Sequence, residues 1–248
     1  MSKIDFIIVG TQKGGTTSLD KYLRQHPRIS MPKKYKKLHF FDKYKFLHEP
    51  IQFSFVYHMF FESYSEVKRR GEATPIYLYY PEAIARIWRY NPKIKLIAML
   101  RDPAKRAYSH WWKECKLGRE TISFSVAIRS ERQRCRAPLP HRDRNHSYLD
   151  RGLYSEQIRH LFRFFDRNQL LFIESEEFFK TPQTSLDKIC DFLDVEQFDF
   201  DTREKHNVKE DKPKLLQEDA AYMNRIFEND VAEVRSLLGW KLESWLKV

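Results

Sequence analysis

Three of the seven glycines in this 248-residue chain lie within residues 10–15 (GTQKGG). Glycine permits positive φ and a close approach of the backbone to a ligand. Thr16, Thr17 and Ser18 follow directly and carry hydroxyl groups. If a helix begins there, its unpaired N–H groups and the positive end of its dipole favour an anion. The order of residue types therefore predicts a phosphate-binding turn in which Lys13 supplies a mobile positive charge.

Two common nucleotide-binding motifs do not match this turn. A Walker A loop places its lysine after the second glycine and follows it with Ser or Thr, whereas Lys13 precedes the pair Gly14-Gly15. The dinucleotide fingerprint G-x-G-x-x-G does not match this segment either. A tight strand-to-helix turn without a ligand is the plain alternative.

A second group of polar residues follows the apolar run at residues 94–100 (IKLIAML). Arg101 comes directly after that run, and a guanidinium can bind a phosphate through two parallel hydrogen bonds. Asp102-Pro103 is typical of a helix start, which would place Ser109 on the helix that follows. Taken alone, this segment predicts an ordinary helix start with a surface arginine.

Strands that end at these two motifs are needed to position them. Residues 5–9 (DFIIV) are typical of a buried parallel strand, and a helix is expected from Ser18 to His26. Residues 75–79 are predicted as a strand-like piece, with a helix from Pro81 to Asn91 after it. Residues 94–100 are predicted as a central strand. Alternating strands and helices predict an α/β fold, with a central parallel β-sheet flanked by helices and a P-loop-like turn.

The second half of the chain is predicted to be richer in helix. A helix from about Ser155 to Asp166 precedes a strand at residues 169–173, and residues 181–248 form the helical C-terminal portion of a single domain spanning 1–248. Residues 202–214 are predicted as a long polar loop, of a length common among ligand-binding loops. An arginine-rich loop is expected around Pro138 and Pro140, with Arg129, Arg132, Arg134, Arg136, Arg142 and Arg144.

Composition narrows the class of protein. The chain is 42% hydrophobic and 32% charged, which excludes disordered and collagen-like proteins. Its net charge of +11 favours an anionic partner, such as a polyanionic polysaccharide, a phosphorylated cofactor, nucleic acid or a membrane surface. Cys115, Cys135 and Cys190 are far apart, which predicts reduced thiols and no zinc site. Without a signal-peptide-like or membrane-length apolar segment, the sequence predicts a cytoplasmic protein.

Residues 6–19 (FIIVGTQKGGTTSL) resemble the 5′-phosphosulfate-binding loop of sulfotransferases that use PAPS (3′-phosphoadenosine 5′-phosphosulfate), in particular the heparan sulfate branch and its bacterial relatives. Further segments agree in the same order, and the resemblance covers nearly the whole chain. They are 38–42 (LHFFD), similar to His-Phe-Phe-Asp; 71–77 (GEATPIY), similar to Glu-x-Thr/Ser-Pro-x-Tyr; 101–109, similar to the 3′-phosphate motif; Gly152-x-Tyr154; and 237–245.

The resemblance implies transfer of a sulfuryl group from PAPS to an acceptor hydroxyl or amine on a saccharide, leaving PAP (3′,5′-adenosine bisphosphate) and needing no metal. Lys13 is the implied catalytic cation at the bridging oxygen. The implied cofactor-binding residues are Gly14, Gly15, Thr16, Thr17 and Ser18 at the 5′-phosphate, Arg101 and Ser109 at the 3′-phosphate, Tyr154, and Lys212 and Lys214, which with Lys209 close over the nucleotide.

The general base is where this chain departs from the family pattern. The related branch has a glutamate two residues before the histidine of His-Phe-Phe, and this chain has Lys37, which cannot accept a proton when charged. Glu72 and His39 are the two substitutes as catalytic base. Their alternatives are structural: a salt bridge for Glu72 and a buried, hydrogen-bonded imidazole for His39. Lys37 is also compatible with altered substrate chemistry or an inactive PAP binder.

Acceptor binding is predicted at Lys37 and His39. The run Lys33, Lys34, Lys36 and Lys37 and the arginine-rich segment are expected to contact an anionic saccharide. Two other functions compete: a nucleotide-dependent kinase with an atypical loop, and a catalytically impaired protein that binds PAP or a polyanion. Nucleic acid is not expected as the partner.

Overall fold

A five-stranded parallel sheet forms the centre of the fold. The computed structural model describes residues 3–32, 37–43, 57–61, 69–137, 142–203 and 213–247. The strands are β1 (Phe6–Gly10), β2 (Ile29–Ser30), β3 (Arg69–Ala73), β4 (Lys95–Leu100) and β5 (Leu170–Glu174). Their order in the sheet is β2-β3-β1-β4-β5, and every pair is parallel. The predicted α/β fold with a central parallel sheet is confirmed.

Helices alternate with these strands along the chain. They are α1 (Thr16–Leu23), α2 (Pro81–Tyr90), α3 (Pro103–Lys116), α4 (Phe124–Arg136), α5 (Tyr154–Phe164), α6 (Ser175–Lys180), α7 (Pro182–Leu193) and α8 (Gln217–Leu238). Short 3₁₀ turns occur at Tyr77–Tyr79, Asp150–Gly152 and Arg167–Gln169. In the part of the chain that the structure describes, no helix combines the length and apolar composition that a membrane crossing requires.

The chain divides into two compact units. The first comprises residues 1–100 and 160–208, and the second comprises residues 101–159 and 209–248. The whole sheet belongs to the first unit, where β1 is buried along its entire length. A core of buried side chains from β1, β4, α1 and α7 packs there, including Ile8, Leu19, Met99 and Ile189. A single domain over residues 1–248 stays a prediction.

Proline and capping residues begin the helices at the positions expected from sequence. Pro81 and Pro103 are the first residues of α2 and α3. The Asp102 side chain accepts hydrogen bonds from the N–H groups of Ala104 and Lys105, which satisfies two donors at the start of α3. Gly239, in the left-handed conformation, ends α8.

The prediction of a strand-like piece at residues 75–79 is wrong. Tyr77–Tyr79 is a 3₁₀ turn, and the strand is Arg69–Ala73. The sequence RRGEA has no apolar run, so its pattern does not indicate a strand. The Phe6 ring packs over Gly71, where a Cβ atom would lie 2.3 Å from Phe6 Cζ. The missing side chain of Gly71 thus lets an aromatic ring from β1 cover β3.

The assignment of an arginine-rich loop is also wrong for its first half. Arg129, Arg132, Arg134 and Arg136 belong to α4. This helix begins at a Ser123 cap and buries Phe124, Ala127 and Ile128 on one face, which a charge count does not detect. Pro138 and Pro140 lie outside the described residues, as do Lys33, Lys34, Lys36 and residues 204–212 of the predicted 202–214 loop.

Candidate active site

The turn that follows β1 is built from backbone hydrogen bonds. The Thr11 N–H donates to the Met99 carbonyl at 2.8 Å, and the Gly14 N–H donates to the Thr11 carbonyl at 3.0 Å. Lys13, between them, has φ of 69°. Non-glycine residues rarely occupy this left-handed region, and those that do are concentrated at functional sites. The sequence therefore forces a half-buried lysine into an unusual backbone conformation at the end of a central strand.

The start of α1 keeps amide donors available for a ligand. The N–H groups of Ser18 and Leu19 donate to the Gly15 carbonyl at 2.9 and 3.3 Å. Among the described residues, no backbone hydrogen bond uses the N–H groups of Gly15, Thr16 or Thr17, and Gly15 gives no side-chain cap. Three donors at the positive end of a helix fit a phosphate group.

Both glycines of the pair are required by close packing. A Cβ on Gly14 would lie 2.7 Å from the Met99 carbonyl oxygen. Gly15 has φ of 97°, and a Cβ there would lie 2.9 Å from the ring of Phe179. The turn is thus enclosed by β4 on one side and by α6 on the other, and larger residues would displace it.

Glu72 lies at the centre of a buried network of hydroxyl groups. Its carboxylate accepts hydrogen bonds from Tyr57 Oη at 3.0 Å, Tyr77 Oη at 3.1 Å and Thr74 Oγ1 at 2.6 Å. The side chain is completely buried. Burial raises the pKa of Glu72 to about 7, the three hydroxyl groups act in the opposite direction, and Asp42 raises it further. Such a pKa suits a general base, but a fully buried carboxylate with three donors is not exposed to an acceptor.

The same hydroxyl groups hold the main chain around His39. Thr74 Oγ1 accepts the N–H of Leu38 at 3.1 Å, and Tyr77 Oη accepts the N–H of Phe40 at 2.8 Å. Each hydroxyl donates to Glu72 and therefore presents its lone pair to this segment. Glu72 thus fixes the path of the chain on both sides of His39.

His39 is paired with a carboxylate and has an uncommon backbone conformation. Its Nδ1 lies 3.1 Å from Asp42 Oδ2, and its φ is 53°. The imidazole is partly exposed, whereas the Asp42 carboxylate is fully buried. A carboxylate on one ring nitrogen orients the ring and fixes its tautomer, which is the arrangement a histidine base needs.

The Lys13 turn and the network around Glu72 and His39 follow the carboxyl ends of two neighbouring strands. Ile7 of β1 pairs with Glu72 of β3, and the Thr74 N–H donates to the Ile8 carbonyl at 3.1 Å. Because β1 and β3 are parallel neighbours, their carboxyl ends lie together. The Lys13 turn follows one strand, and Thr74 follows the other.

In the second unit, the corner at Arg101 is held by buried groups. Asp102 and Ser109 are buried, and Arg101 is half-buried. The Tyr154 hydroxyl donates to the Arg101 carbonyl at 3.0 Å, and the Tyr154 side chain is completely buried. Direct contact of Tyr154 with a nucleotide stays a prediction, since its hydroxyl is used on the main chain of Arg101.

Arg106 of α3 is completely buried. Its Nη2 donates to the Tyr148 carbonyl, and its Nε and Nη1 find no hydrogen-bond partner in the described structure. Burial lowers the pKa of Arg106 to about 10. A buried guanidinium with unpaired donors raises the positive potential around this helix start, which favours an anionic ligand.

Comparison with known proteins identifies the family. The sulfotransferase domain family model matches residues 3–232. The chain belongs to the sulfotransferase family. The predicted family and its transferase class are thereby confirmed.

Three similar proteins illustrate the range of this family. The crystal structure of a sulfotransferase from Alicyclobacillus acidocaldarius is 29% identical, with 99% of each chain covered and a TM-score of 0.82. The membrane-associated sulfotransferase kil1 of Dictyostelium discoideum is 25% identical over 94% of this chain. The mouse heparan sulfate glucosamine 3-O-sulfotransferase 3B1 is 30% identical over 77% of it. This chain spans 65% and 46% of the lengths of the latter two proteins.

The candidate site contains residues to which the sequence analysis gave no individual role. Tyr57, Thr74, Tyr77 and Asp42 complete the network around Glu72 and His39. Thr74 and Tyr77 belong to the Thr-Pro-x-Tyr segment, so that segment was the available signal. Tyr57 has no such signal, because its contact with Glu72 depends on the fold.

The remaining predicted contact residues differ in how exposed they are. Lys37 and Lys214 are exposed, and Lys212 lies in a segment that the structure does not describe. Thr17 is exposed, whereas Gly14, Thr16 and Ser18 are buried. The roles of these residues toward nucleotide and acceptor stay predictions.

Proposed function

We propose that this chain transfers a sulfuryl group from PAPS to a hydroxyl or amine of a saccharide. The observation that carries the proposal is the set of three amide donors at the start of α1, directly behind Lys13, in a chain of the sulfotransferase family. The N–H groups of Gly15, Thr16 and Thr17 hold the 5′-phosphate, and the exposed Thr17 hydroxyl adds a donor.

The reaction needs one proton acceptor and one cation. Bound PAPS supplies the sulfuryl group, whose S–O bond to the 5′-phosphate breaks as the acceptor oxygen or nitrogen bonds to sulfur. His39 takes the proton of the acceptor, and the Asp42 carboxylate stabilises the resulting imidazolium. Lys13 neutralises the negative charge that develops on the released phosphate oxygen. No group of the protein needs to form a covalent intermediate.

His39 is the better candidate for the base than Glu72. The imidazole of His39 is partly exposed and its Nδ1 is bound to Asp42, so its Nε2 is the nitrogen left to serve an acceptor. The Glu72 carboxylate is completely buried and receives three hydroxyl donors. We therefore assign to Glu72 a positioning role, in which Thr74 and Tyr77 transmit its effect to the His39 segment.

The second unit recognises the 3′-phosphate in this proposal. The Arg101 guanidinium forms paired hydrogen bonds with the phosphate, and the Ser109 hydroxyl donates another. The buried charge of Arg106 adds to the positive potential around them. Lys212 and Lys214 contribute further positive charge, as the family resemblance implies.

An anionic saccharide is the proposed acceptor. The mouse relative is named for heparan sulfate glucosamine, and the chain carries a net charge of +11. Exposed Lys37 extends the positive surface next to His39. Binding of a sulfated acceptor is then expected to weaken steeply with added salt, because screening reduces attraction between exposed charges.

We also propose that the protein is located in the cytoplasm, which fractionation of cells that contain the native protein would test.

A PAP-binding or polyanion-binding protein with impaired catalysis is the second candidate. The observation that favours it is Lys37, which stands where the related branch has a glutamate base. Such a protein would bind PAP and sulfated saccharides but would transfer no sulfuryl group.

The deciding experiment is incubation with labelled PAPS, with EDTA present, against a panel of saccharides, lipids and phenols, followed by mass spectrometry. We expect a saccharide product that gains one sulfuryl group, and we expect its formation to fall strongly in Lys13→Ala. Lys21→Ala, at an exposed lysine of α1, is the matched control. PAP binding without any product supports the second candidate. A saccharide product formed at the normal rate by Lys13→Ala contradicts the assigned role of Lys13.

A further inference from the structure

We infer that the C-terminal turn, residues 242–246, is a positioning element for recognition of the 3′-phosphate. It fixes the corner at Arg101 and Asp102, where the proposed 3′-phosphate site begins. This inference rests on the proposed function and adds to it a determinant about 140 residues away in the sequence, at the far end of the chain.

The Asp102 carboxylate joins the helix start to this turn. One oxygen, Oδ1, accepts the N–H groups of Ala104 at 2.9 Å and Lys105 at 3.1 Å. The other, Oδ2, accepts the N–H of Leu246 at 3.1 Å. Asp102 is completely buried, so each of these hydrogen bonds offsets part of the cost of removing its side chain from water. The Lys105 ammonium also lies 3.6 Å from Oδ2. The Leu246 amide is therefore part of what holds the first turn of α3.

Tyr154 makes a second connection to the same corner. Its hydroxyl donates to the Arg101 carbonyl at 3.0 Å. Its ring packs edge-on against Trp245, with centroids 5.9 Å apart. Trp245 is itself buried, with 4% of its surface exposed. The indole thus limits the positions that the tyrosine hydroxyl can take.

Helix α8 anchors both connections. The Asn224 side chain donates to the Leu246 carbonyl at 2.9 Å. The Asp230 carboxylate accepts the N–H groups of Tyr154 at 2.7 Å and Ser155 at 3.0 Å. One helix therefore fixes the C-terminal turn through Asn224 and the start of α5 through Asp230.

The turn has a backbone conformation that needs such anchoring. Leu242 has φ of 50° and Leu246 has φ of 61°. Leucine rarely adopts positive φ, and it persists there only where the surrounding contacts impose it. The residue whose N–H donates to Asp102 is thus itself one of the two leucines with positive φ.

Phosphate recognition by a guanidinium depends on this kind of support. Two parallel hydrogen bonds require the Arg101 side chain to start from a fixed main chain, and an error of about 1 Å removes much of their benefit. The carbonyl of Arg101 is held by Tyr154, and the next residue is held by Leu246. Loosening the turn should therefore reduce affinity for the 3′-phosphate in particular.

The test compares PAP with AMP, which differ by the 3′-phosphate, through titration calorimetry on the full chain. Leu246→Pro removes the N–H and is incompatible with positive φ. We expect it to weaken PAP binding about tenfold, which corresponds to loss of one of the two parallel hydrogen bonds proposed between Arg101 and the 3′-phosphate, and to leave AMP binding nearly unchanged. Leu246→Gly keeps the N–H and favours positive φ, so it should retain the wild-type preference for PAP.

Trp245→Ala provides a second variant if Leu246→Pro does not fold, because it keeps the main chain of the turn and removes the indole beside Tyr154. It should also lower the ratio of PAP to AMP affinity. An unchanged ratio in the folded variants overturns the inference, as does a loss of affinity that is equal for both nucleotides. A wild-type protein with no preference for PAP over AMP instead overturns the proposed function.

Discussion

Glu72 in the first unit and Glu131 in the second are both buried carboxylates, yet they have different partners. Burial raises the pKa of each to about 7. Glu72 accepts three side-chain hydroxyl groups. Glu131 accepts the main-chain N–H groups of Leu149 and Asp150 at 2.7–2.9 Å. In both residues, burial is the main cause of the raised pKa. The hydrogen-bond donors around each carboxylate determine which part of the protein it can influence.

Those partners lead to different consequences in the two units. The hydroxyl groups bound to Glu72 also accept the N–H groups on either side of His39. The amides bound to Glu131 belong to Leu149, which precedes the turn Asp150–Gly152, and to Asp150, its first residue, so this carboxylate holds a turn of the main chain. We therefore expect Glu72 to affect the reaction through His39, and Glu131 to affect folding.

Replacement of His39 should have the largest effect on turnover. Loss of a general base costs ~10²–10⁴ in rate, and we expect His39→Ala to fall in this range. Added imidazole should restore part of the activity, because it can enter the space of the missing ring. The measurement is the rate of saccharide sulfation at saturating PAPS. His160→Ala is the control, since the His160 ring contacts the Pro81 carbonyl and the Phe164 ring, neither of which belongs to the proposed site. A rate within twofold of wild type for His39→Ala would exclude His39 as the base.

Replacement of Lys13 should rank next. Removal of one group that stabilises developing negative charge costs ~10²–10³ in kcat, so Lys13→Ala should lose turnover to that extent. Lys13→Arg should recover some of it, because it restores a positive charge. Pre-steady-state measurement of PAP formation separates this loss from weaker PAPS binding. Equal losses in Lys13→Ala and the surface variant Lys21→Ala would show that only general electrostatics is involved.

The pair Glu72→Gln and Glu131→Gln tests the comparison directly. Glutamine at position 72 cannot accept all three hydroxyl donors, so the His39 segment should shift, and a displacement of about 1 Å costs ~10²-fold in rate. Tyr77→Phe should cause a smaller loss in the same direction. Glu131→Gln should keep kcat when assayed at a temperature at which the variant is folded.

A pH profile of kcat/KM distinguishes positioning from base catalysis in these variants. If Glu72 only positions His39, Glu72→Gln should retain the acidic limb of the wild-type profile at a lower rate. Loss of that limb in Glu72→Gln, with full activity in His39→Ala, would reverse the two assignments. Equal losses of kcat in Glu72→Gln and Glu131→Gln would contradict the separate roles assigned to the two carboxylates.

The sequence predicted the parts of this site that depend on local rules. The turn at Lys13 and the start of α3 followed from glycine, proline and capping residues. The strand at Arg69–Ala73 did not, because its position depends on packing of Phe6 over Gly71. The hydroxyl partners of Glu72 and the contact of Tyr154 with Arg101, 53 residues away, depend on tertiary structure and have no local pattern.

The smallest expected effect is the pH dependence of stability, and here the two carboxylates should behave alike. The folded state raises the pKa of Glu72 from 4.5 to about 7, so it binds the proton more tightly than the unfolded state does. The stability due to the protonated group is therefore fully present below pH ~4.5 and is lost as pH rises through ~7. Relative to Glu72→Gln, the free energy of unfolding of the wild type should fall by on the order of 1–3 kcal/mol across this window.

Glu131→Gln should show the same sign and window, because burial also raises the pKa of Glu131 from 4.5 to about 7. Urea unfolding of the wild type and both variants at pH 5 and pH 8 measures the difference. A wild type that gains stability with pH relative to either variant would mean that the carboxylate is better stabilised as an anion than burial suggests. For Glu72, that outcome would assign the greater weight to its three hydroxyl donors, which favour the charged form over the protonated one.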